Sequence, residues 1–325
     1  MEQDLPLILE DFLHYMESIR GLSPNTIREY RYDLSNFLRF LRKRRDRLQY
    51  GHTHLDQIPI DDLTEDDLAQ VRLNDMHAYL SYSPARDANS PARRARKIAS
   101  IRSFYKYMVN VEEYFEKNPA EKLTTPKRKQ RHPVYLTLEE ALHLIETAAK
   151  QENRFLKYRD VAILVTFLTT GIRLSELCGM NVTSLKEDSF NVVGKGNKER
   201  TIYITDSCGH ALEEYLKVRP KNPQEPALFL STRKQRISTR AVQHRIEKLL
   251  QEAGFDTRIY STHKLRHTAA TLMYKEGVDI RTLQRILGHS SVATTQIYTH
   301  VEDDLVKKAM KKNPLASLPS SDSLE

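Results

Sequence analysis

Residues 161–177 read VAILVTFLTTGIRLSEL. From Val161 to Leu168 the run is apolar on nearly every side, so it predicts a helix at the centre of a domain rather than one lying on a surface. Gly171 must end that helix, and Arg173 follows two residues later. A permanently charged guanidinium therefore leaves a rigid element close to the core. It could simply pair with Glu176, three residues on, or present its planar fork to phosphate oxygens.

Outward from this stretch the pattern is mainly helical. Toward the N-terminus, Thr137 and Glu140 have the spacing of a capping box, which starts a helix through Leu144. TTPKRKQRHP, Thr124 to Pro133, has no periodicity and reads as an interdomain linker. Before it, Leu5, Ile8, Phe12, Met16 and Ile19 step by three and four along one helical face, and Gly21 stops that helix. Ser23-Pro24 caps a second helix, with Ile27, Tyr30, Leu34, Phe37 and Leu41 as its buried stripe and a basic remainder. A third helix is predicted from the polar stretch at Asp61–Asp67 to about Leu80. A fourth opens at Ser90-Pro91, with Ile98, Ile101, Tyr105 and Met108 inward among six Lys and Arg.

Toward the C-terminus, Ser189–Val193 and Thr201–Thr205 flank GKGNKER and predict a hairpin with a glycine-rich, charged tip. Helices are predicted at Ser238–Leu250, His263–Lys275, Asp279–Leu287 and from Ser291 to about His300. The resulting fold class is mainly α. A four-helix domain at 1–123 and a linker at 124–133 precede a larger, mostly helical domain at 134–313 with a small antiparallel β-sheet. PLASLPSSDSLE, 314–325, reads as a flexible tail.

Composition narrows the classes. The 325 residues carry 51 Lys+Arg against 43 Asp+Glu, a formal charge of +8, a mild bias toward an acidic partner such as nucleic acid. No apolar run reaches about 18 residues, so no membrane span is expected. MEQDLPLILEDF has acid where a signal peptide needs basic charge. Cys178 and Cys208 make neither a disulfide framework nor a CxxC pair, so a reducing, cytoplasmic compartment is expected.

Four short stretches hold strongly polar groups beside structural punctuation: TTGIRLSEL with Arg173, Gly194-Lys195-Gly196, THKLRH with His263 and Arg266, and LGHSSVATTQIYTH with His289 and Tyr298. His263 and Arg266 lie one helical turn apart and can reach a single point. His263 and His267 have a spacing that could bind zinc, but no HExxH glutamate or third ligand accompanies them, so no metal is expected. The Asp279–His300 region could also be a helix-turn-helix reader of DNA. That reading explains neither Arg173 nor Lys195.

Taken together, two Arg, one Lys, two His and a Tyr, without a magnesium-holding carboxylate cluster, suit attack on a phosphodiester without metal. Paired guanidiniums neutralise the oxygens of a phosphate in transfer. A phenol is a covalent nucleophile once nearby cations or a histidine help it lose its proton, and a lysine can protonate the leaving oxygen.

The ordered set GIRLSEL, GKGNKER, HKLRH, LGHSS and QIYTH resembles the tyrosine recombinase (phage integrase) family, and among these the Xer-type bacterial recombinases. SPNTIREYRYDLSNFL and ARRARKIASIRSFYKYM resemble helices of that family's core-binding domain. The resemblance implies that Arg173 and Arg266 clamp the scissile phosphate and that Lys195 is the general acid toward the 5′ oxygen. It further implies that His263 transfers a proton, His289 hydrogen-bonds the phosphate, Glu176 supports the site and Tyr298 forms a 3′-phosphotyrosyl link. No cofactor is implied. The implied partners are duplex DNA bearing a specific site, further subunits in a homotetramer or a heterotetramer with a second recombinase, and an accessory activator. The implied activity is strand exchange through a Holliday junction, as in chromosome-dimer resolution. A mobile-element integrase of the same chemistry and a type IB topoisomerase are the alternatives.

Overall fold

The computed structural model describes residues 5–82, 90–125, 134–193, 199–221, 224–289 and 291–301. It divides into two compact units, Met1–Gln130 and Arg131–Glu325, each with its own apolar core.

The first unit is built on four principal helices, α1 (Leu7–Ser18), α2 (Pro24–Arg45), α5 (Leu73–Ser81) and α6 (Pro91–Asn110), with short α3 (Arg47–Tyr50) and α4 (Glu65–Ala69) between them. Ser23 and Ser90 cap α2 and α6 through their hydroxyls, each with proline in the first turn. Phe12, Leu34, Phe37, Ile98, Ile101, Phe104 and Met108 meet in the core, as the three-four spacing predicts. Ile19 departs from its predicted stripe: it stands at the C-cap of α1 and is exposed. The expected third helix is two. The Asp75 carboxylate accepts the Arg72 backbone N–H at 3.0 Å, so a fresh helix starts there while Val71 turns into the core.

The basic end of α2 is largely tied to its own unit. Arg42 pairs with Asp62, Arg44 with Asp75 at 3.0 Å, and Lys43 and Arg45 donate to the carbonyls of Thr53 and Asp67, each at 2.6 Å.

The second unit forms around α8 (Arg154–Thr170), which α7 (Leu138–Ala149), α10 (Asp206–Val218) and α12 (Thr262–Lys275) enclose. That enclosure is why the Val161–Leu168 stretch of α8 is apolar on nearly every side, with Ala162, Leu164 and Phe167 fully buried. Thr137 and Glu140 make their reciprocal capping bonds at the start of α7. Short α9 (Leu174–Gly179) follows α8, and β1 (Ser189–Val193) pairs antiparallel with β2 (Glu199–Tyr203), Ser189 facing Tyr203. The second strand thus lies two residues earlier than its predicted span, because Thr205 caps α10 by accepting the Cys208 N–H at 3.4 Å. The sequence reading missed α10 itself, although Cys208, Ala211, Leu212 and Tyr215 are buried at helical spacing.

Helix α11 (Thr239–Glu252), capped by Ser238, and α13 (Ile280–Leu287), capped by Asp279, complete the helical set. Helix α12 begins at Thr262, one residue before its predicted span, with Ser261 at the N-cap. The helix expected from Ser291 is two 3₁₀ turns, Val292–Thr294 and Gln296–Val301, with i to i−3 bonds from Thr295 to Val292 and from Tyr298 to Thr295. The bulk of the 124–133 linker, the hairpin tip with Lys195 and the 314–325 tail lie outside the described residues. Both cysteines are free and buried, and no described helix is long and apolar enough to cross a membrane.

One buried charge gives the first unit a pH dependence. The Asp33 side chain on α2 has no exposed surface, and Arg96 Nη2 lies 3.1 Å from its Oδ1. Burial pushes its carboxyl up to about 7, with Lys97 pulling the other way. A carboxyl raised on folding stabilises fully below its unfolded pKa of about 3.9, and loses that contribution as pH rises through about 7. Asp33→Asn is therefore expected to raise the thermal midpoint relative to the parent chain at pH 8, with the gain shrinking toward pH 5. A variant that melts lower, most of all at pH 8, would show that the Arg96 pair outweighs desolvation.

Candidate active site

Two glycines shape the site. Gly171 ends α8 with φ +61° and Gly288 ends α13 with φ +60°, the left-handed conformation that glycine adopts without strain. Space is also short: a Cβ on Gly171 would meet Leu287 Cδ2 at 2.8 Å, and one on Gly288 would meet Arg200 Cδ and Nε at 2.9 Å. Both turns leave backbone carbonyls at helix C-termini, where the partial negative charge of the helix collects.

Three guanidiniums gather there. Arg266, buried on α12, donates to the carbonyl of Gly171 and, at 2.6 Å, to that of Leu287. Arg173, at the turn into α9, donates to the Gly288 carbonyl at 2.7 Å and to Glu176 Oε1 at 2.8 Å. Arg200, on β2, donates to the Ile286 carbonyl and to Glu176 Oε2 at 2.8 Å. The Glu176 carboxylate also accepts the Arg173 backbone N–H at 2.9 Å. Burial alone would raise its pKa, but the bonds from Arg200 and Arg173 outweigh that and hold it below the usual value. Arg173 does pair with Glu176, and its second terminal nitrogen at the same time reaches the Gly288 carbonyl.

These elements enclose a cleft of about 530 Å³ whose lining includes Arg173, His263, Arg266, His289 and Gln243. Four of the six sequence-predicted residues therefore share one cavity. Among the described residues one carboxylate, Glu176, is bonded to this group of three guanidiniums, and the excess positive charge is felt throughout. Burial, then Arg173 and Arg200, bring Arg266 down to about 10. Burial, then Arg266, Arg173 and Arg200, bring His289 to about 4, and burial with Arg266 lowers His263. Both imidazoles are neutral near pH 7, and the cleft is a site that an anion would relieve.

Tyr298 lies outside the cleft lining. Its ring is 1% exposed and packs with Ala270, Leu283 and Leu287 between α12 and α13. Its hydroxyl is 2.9 Å from His267 Nδ1. Burial pushes the phenol up to about 12, with Arg266 opposing, and burial pushes His267 down to about 4. The phenol therefore keeps its proton and shares one hydrogen bond with a neutral imidazole. Thr295, three residues before Tyr298, contacts His289 Nδ1 through its hydroxyl at 3.0 Å, so the tyrosine segment is tied to a cleft residue.

Lys195 lies outside the described residues, between Val193 and Glu199. Among the described residues no three His, Cys, Asp or Glu side chains converge as metal ligands. The rings of His263 and His267 meet edge to face, centroids 4.7 Å apart, and the Nδ1 of His267 is taken by Tyr298. Sequence reasoning missed Arg200 and the bond of His267 to Tyr298. The signal for Arg200 was present: it ends GKGNKER and lies on the strand leaving the hairpin tip.

Known proteins resemble this chain in sequence and in fold. Residues 134–304 match the phage integrase family, and residues 9–58 match the phage integrase N-terminal SAM-like domain. A tyrosine recombinase XerC of Caldanaerobacter subterraneus subsp. tengcongensis is 50% identical over 314 residues, covering 96% of this chain and 88% of the relative. Among solved structures, the XerH site-specific recombinase bound to a palindromic difH substrate aligns with a TM-score of 0.65 at 20% identity, over 96% of this chain and 98% of that one. A lambda integrase tetramer bound to a Holliday junction aligns at 0.58 with 19% identity, over 87% and 76%. At those identities the two structures speak to the fold.

Glu176 should be the hub of the charged cluster. Glu176→Ala leaves Arg173 and Arg200 without their shared anion and is expected to cost on the order of 3–5 kcal/mol in urea unfolding. Glu176→Gln, which keeps an acceptor, should lose less. A loss below about 1 kcal/mol for the alanine variant would remove Glu176 from that role.

Proposed function

The chain belongs to the phage integrase family, the tyrosine recombinases, and from that premise we propose that Tyr298 is its nucleophile and the Arg173–Arg266 cleft its phosphate site. The observation that carries this reading is the convergence of Arg173, Arg266, His263 and His289 on one positively charged cleft, with Tyr298 bonded to the same helix that supplies three of the surrounding residues.

A DNA phosphate in the cleft supplies the anion that the guanidiniums lack. Arg173 and Arg266 hold its non-bridging oxygens, and His289 and His263 add hydrogen bonds. The Tyr298 oxygen attacks phosphorus and the bond to the 5′ oxygen breaks. Lys195 donates the proton that the 5′ oxygen takes up, and His263 serves the proton leaving the phenol. The product is a 3′-phosphotyrosyl bond. It retains the energy of the broken phosphodiester, so a second 5′ hydroxyl reverses the step on a new partner without an external donor. Two such exchanges pass through a Holliday junction.

The enzyme is a Xer-like site-specific recombinase, and chromosome-dimer resolution in the cytoplasm by a tetramer on two DNA sites is the role we assign. The extended identity with a XerC relative favours it over a mobile-element role. Residues 1–123 then grip the duplex and 134–313 cut it, with Arg28 on α2 and Arg102 and Lys106 on α6 exposed for phosphate contact.

Incubating the chain with nicked fragments of the genome that encodes it should yield a denaturant-stable protein–DNA adduct, and sequencing the captured DNA should return one recurrent site. Tyr298→Phe should bind that site and form no adduct; an adduct from this variant would refute the assignment. Lys195→Ala should be slowed roughly 10²–10⁴-fold. It should recover on the same duplex with sulfur in place of the 5′ leaving oxygen, since a thiolate leaves without an acid. Absence of rescue would take the general-acid role from Lys195.

A further inference from the structure

The phenol and the cleft share α12, yet they occupy different sides of it. His263 and Arg266 line the cleft, while His267, the next residue, is turned about 100° around the helix and holds Tyr298. The contact is more than a passing one. The hydroxyl-to-Nδ1 distance is 2.9 Å, and the two rings lie 5.6 Å apart, tilted by 56°. Ala270, Leu283 and Leu287 close an apolar pocket around the ring, leaving it 1% exposed. A phenol enclosed this way needs a partner for its hydroxyl, because burying that group unpaired is costly. His267 is the partner, and nothing in the chemistry proposed above uses it.

We infer that His267 is a positioning residue for the nucleophile: by accepting the Tyr298 hydroxyl's hydrogen bond it holds the phenol against the flank of α12, outside the phosphate cleft, and cleavage requires that bond to be given up. The inference rests on Tyr298 being the nucleophile. Two features make the arrangement work as a hold. The imidazole is buried among the positive groups of α12 and stays neutral, so it accepts the bond without taking the proton, and the phenol remains unreactive there. The segment carrying Tyr298 is built of 3₁₀ turns, whose poorer hydrogen bonds leave it easier to reshape than an α-helix would be. The same segment contacts His289 through Thr295, so a change at the phosphate site bears directly on the tyrosine's tether.

The side chain that replaces His267 decides the outcome. Asparagine places an amide oxygen near the position of Nδ1 and keeps the bond. Phenylalanine fills the ring's volume without an acceptor. Glutamine reaches toward the position of Nε2 and should behave as phenylalanine does, which covers the case in which one variant folds poorly. In the full-length protein, a single 3-fluorotyrosine at position 298 reports the phenol's surroundings by fluorine NMR in the absence of DNA. His267→Asn should keep the parent resonance. His267→Phe and His267→Gln should shift it toward the value of free fluorotyrosine.

On a nicked duplex of the captured site, the same two variants should form the Tyr298 adduct about fivefold faster than the parent, the release expected from losing one buried hydrogen bond. His267→Asn should stay near the parent rate. A fluorine resonance unmoved by His267→Phe and His267→Gln, or slower adduct formation in those folded variants, would overturn the inference. If the parent chain forms no adduct on any DNA, the recombinase chemistry falls instead, while the DNA-free spectra still decide whether His267 holds the phenol.

Discussion

Arginine donors meeting backbone carbonyls at the ends of two helices are the constraint on which this site depends. Arg266 bridges the end of α8 to the end of α13, and Arg173 and Arg200 bond to two further carbonyls of the α13 end, those of Gly288 and Ile286. Helix C-termini carry partial negative charge, so these contacts hold cations in place without neutralising them. Among the described residues, Glu176 is the carboxylate that pairs with Arg173 and Arg200. The result is a rigid cleft that retains positive potential, and the two left-handed glycines are what let the carbonyls and the guanidiniums approach so closely.

That potential explains why the histidines and the tyrosine rest as they do. Burial and the cationic neighbours keep His263 and His289 neutral. The phenol, buried and bonded to His267, stays protonated. The Tyr298 hydroxyl is thus kept away from the guanidinium cleft by the apolar pocket and by His267.

Much of this was legible in the residues. The central helix announced itself by being apolar on all sides, and Arg173, His263, Arg266 and His289 stand beside a glycine or a helix start, where charged groups can leave a core. Other features depend on contacts that no local pattern carries. The break between α4 and α5 turns on one Asp75 cap, and α10 was hidden by a polar DSCGH start although its buried spacing is regular. Arg200 is one basic residue among several in GKGNKER until the fold brings it to Glu176. The bond from Tyr298 to His267 joins positions 31 residues apart across a turn whose 3₁₀ form the sequence did not foretell.

The chemistry can be located at a single atom. Digesting the captured adduct with protease and nuclease, then sequencing the nucleotide-bearing peptide by tandem mass spectrometry, identifies the residue bonded to DNA. The account predicts a phosphodiester on the oxygen of Tyr298, linked to a 3′ nucleotide end. A nucleotide on any other side chain, or attachment through a 5′ end, would contradict it.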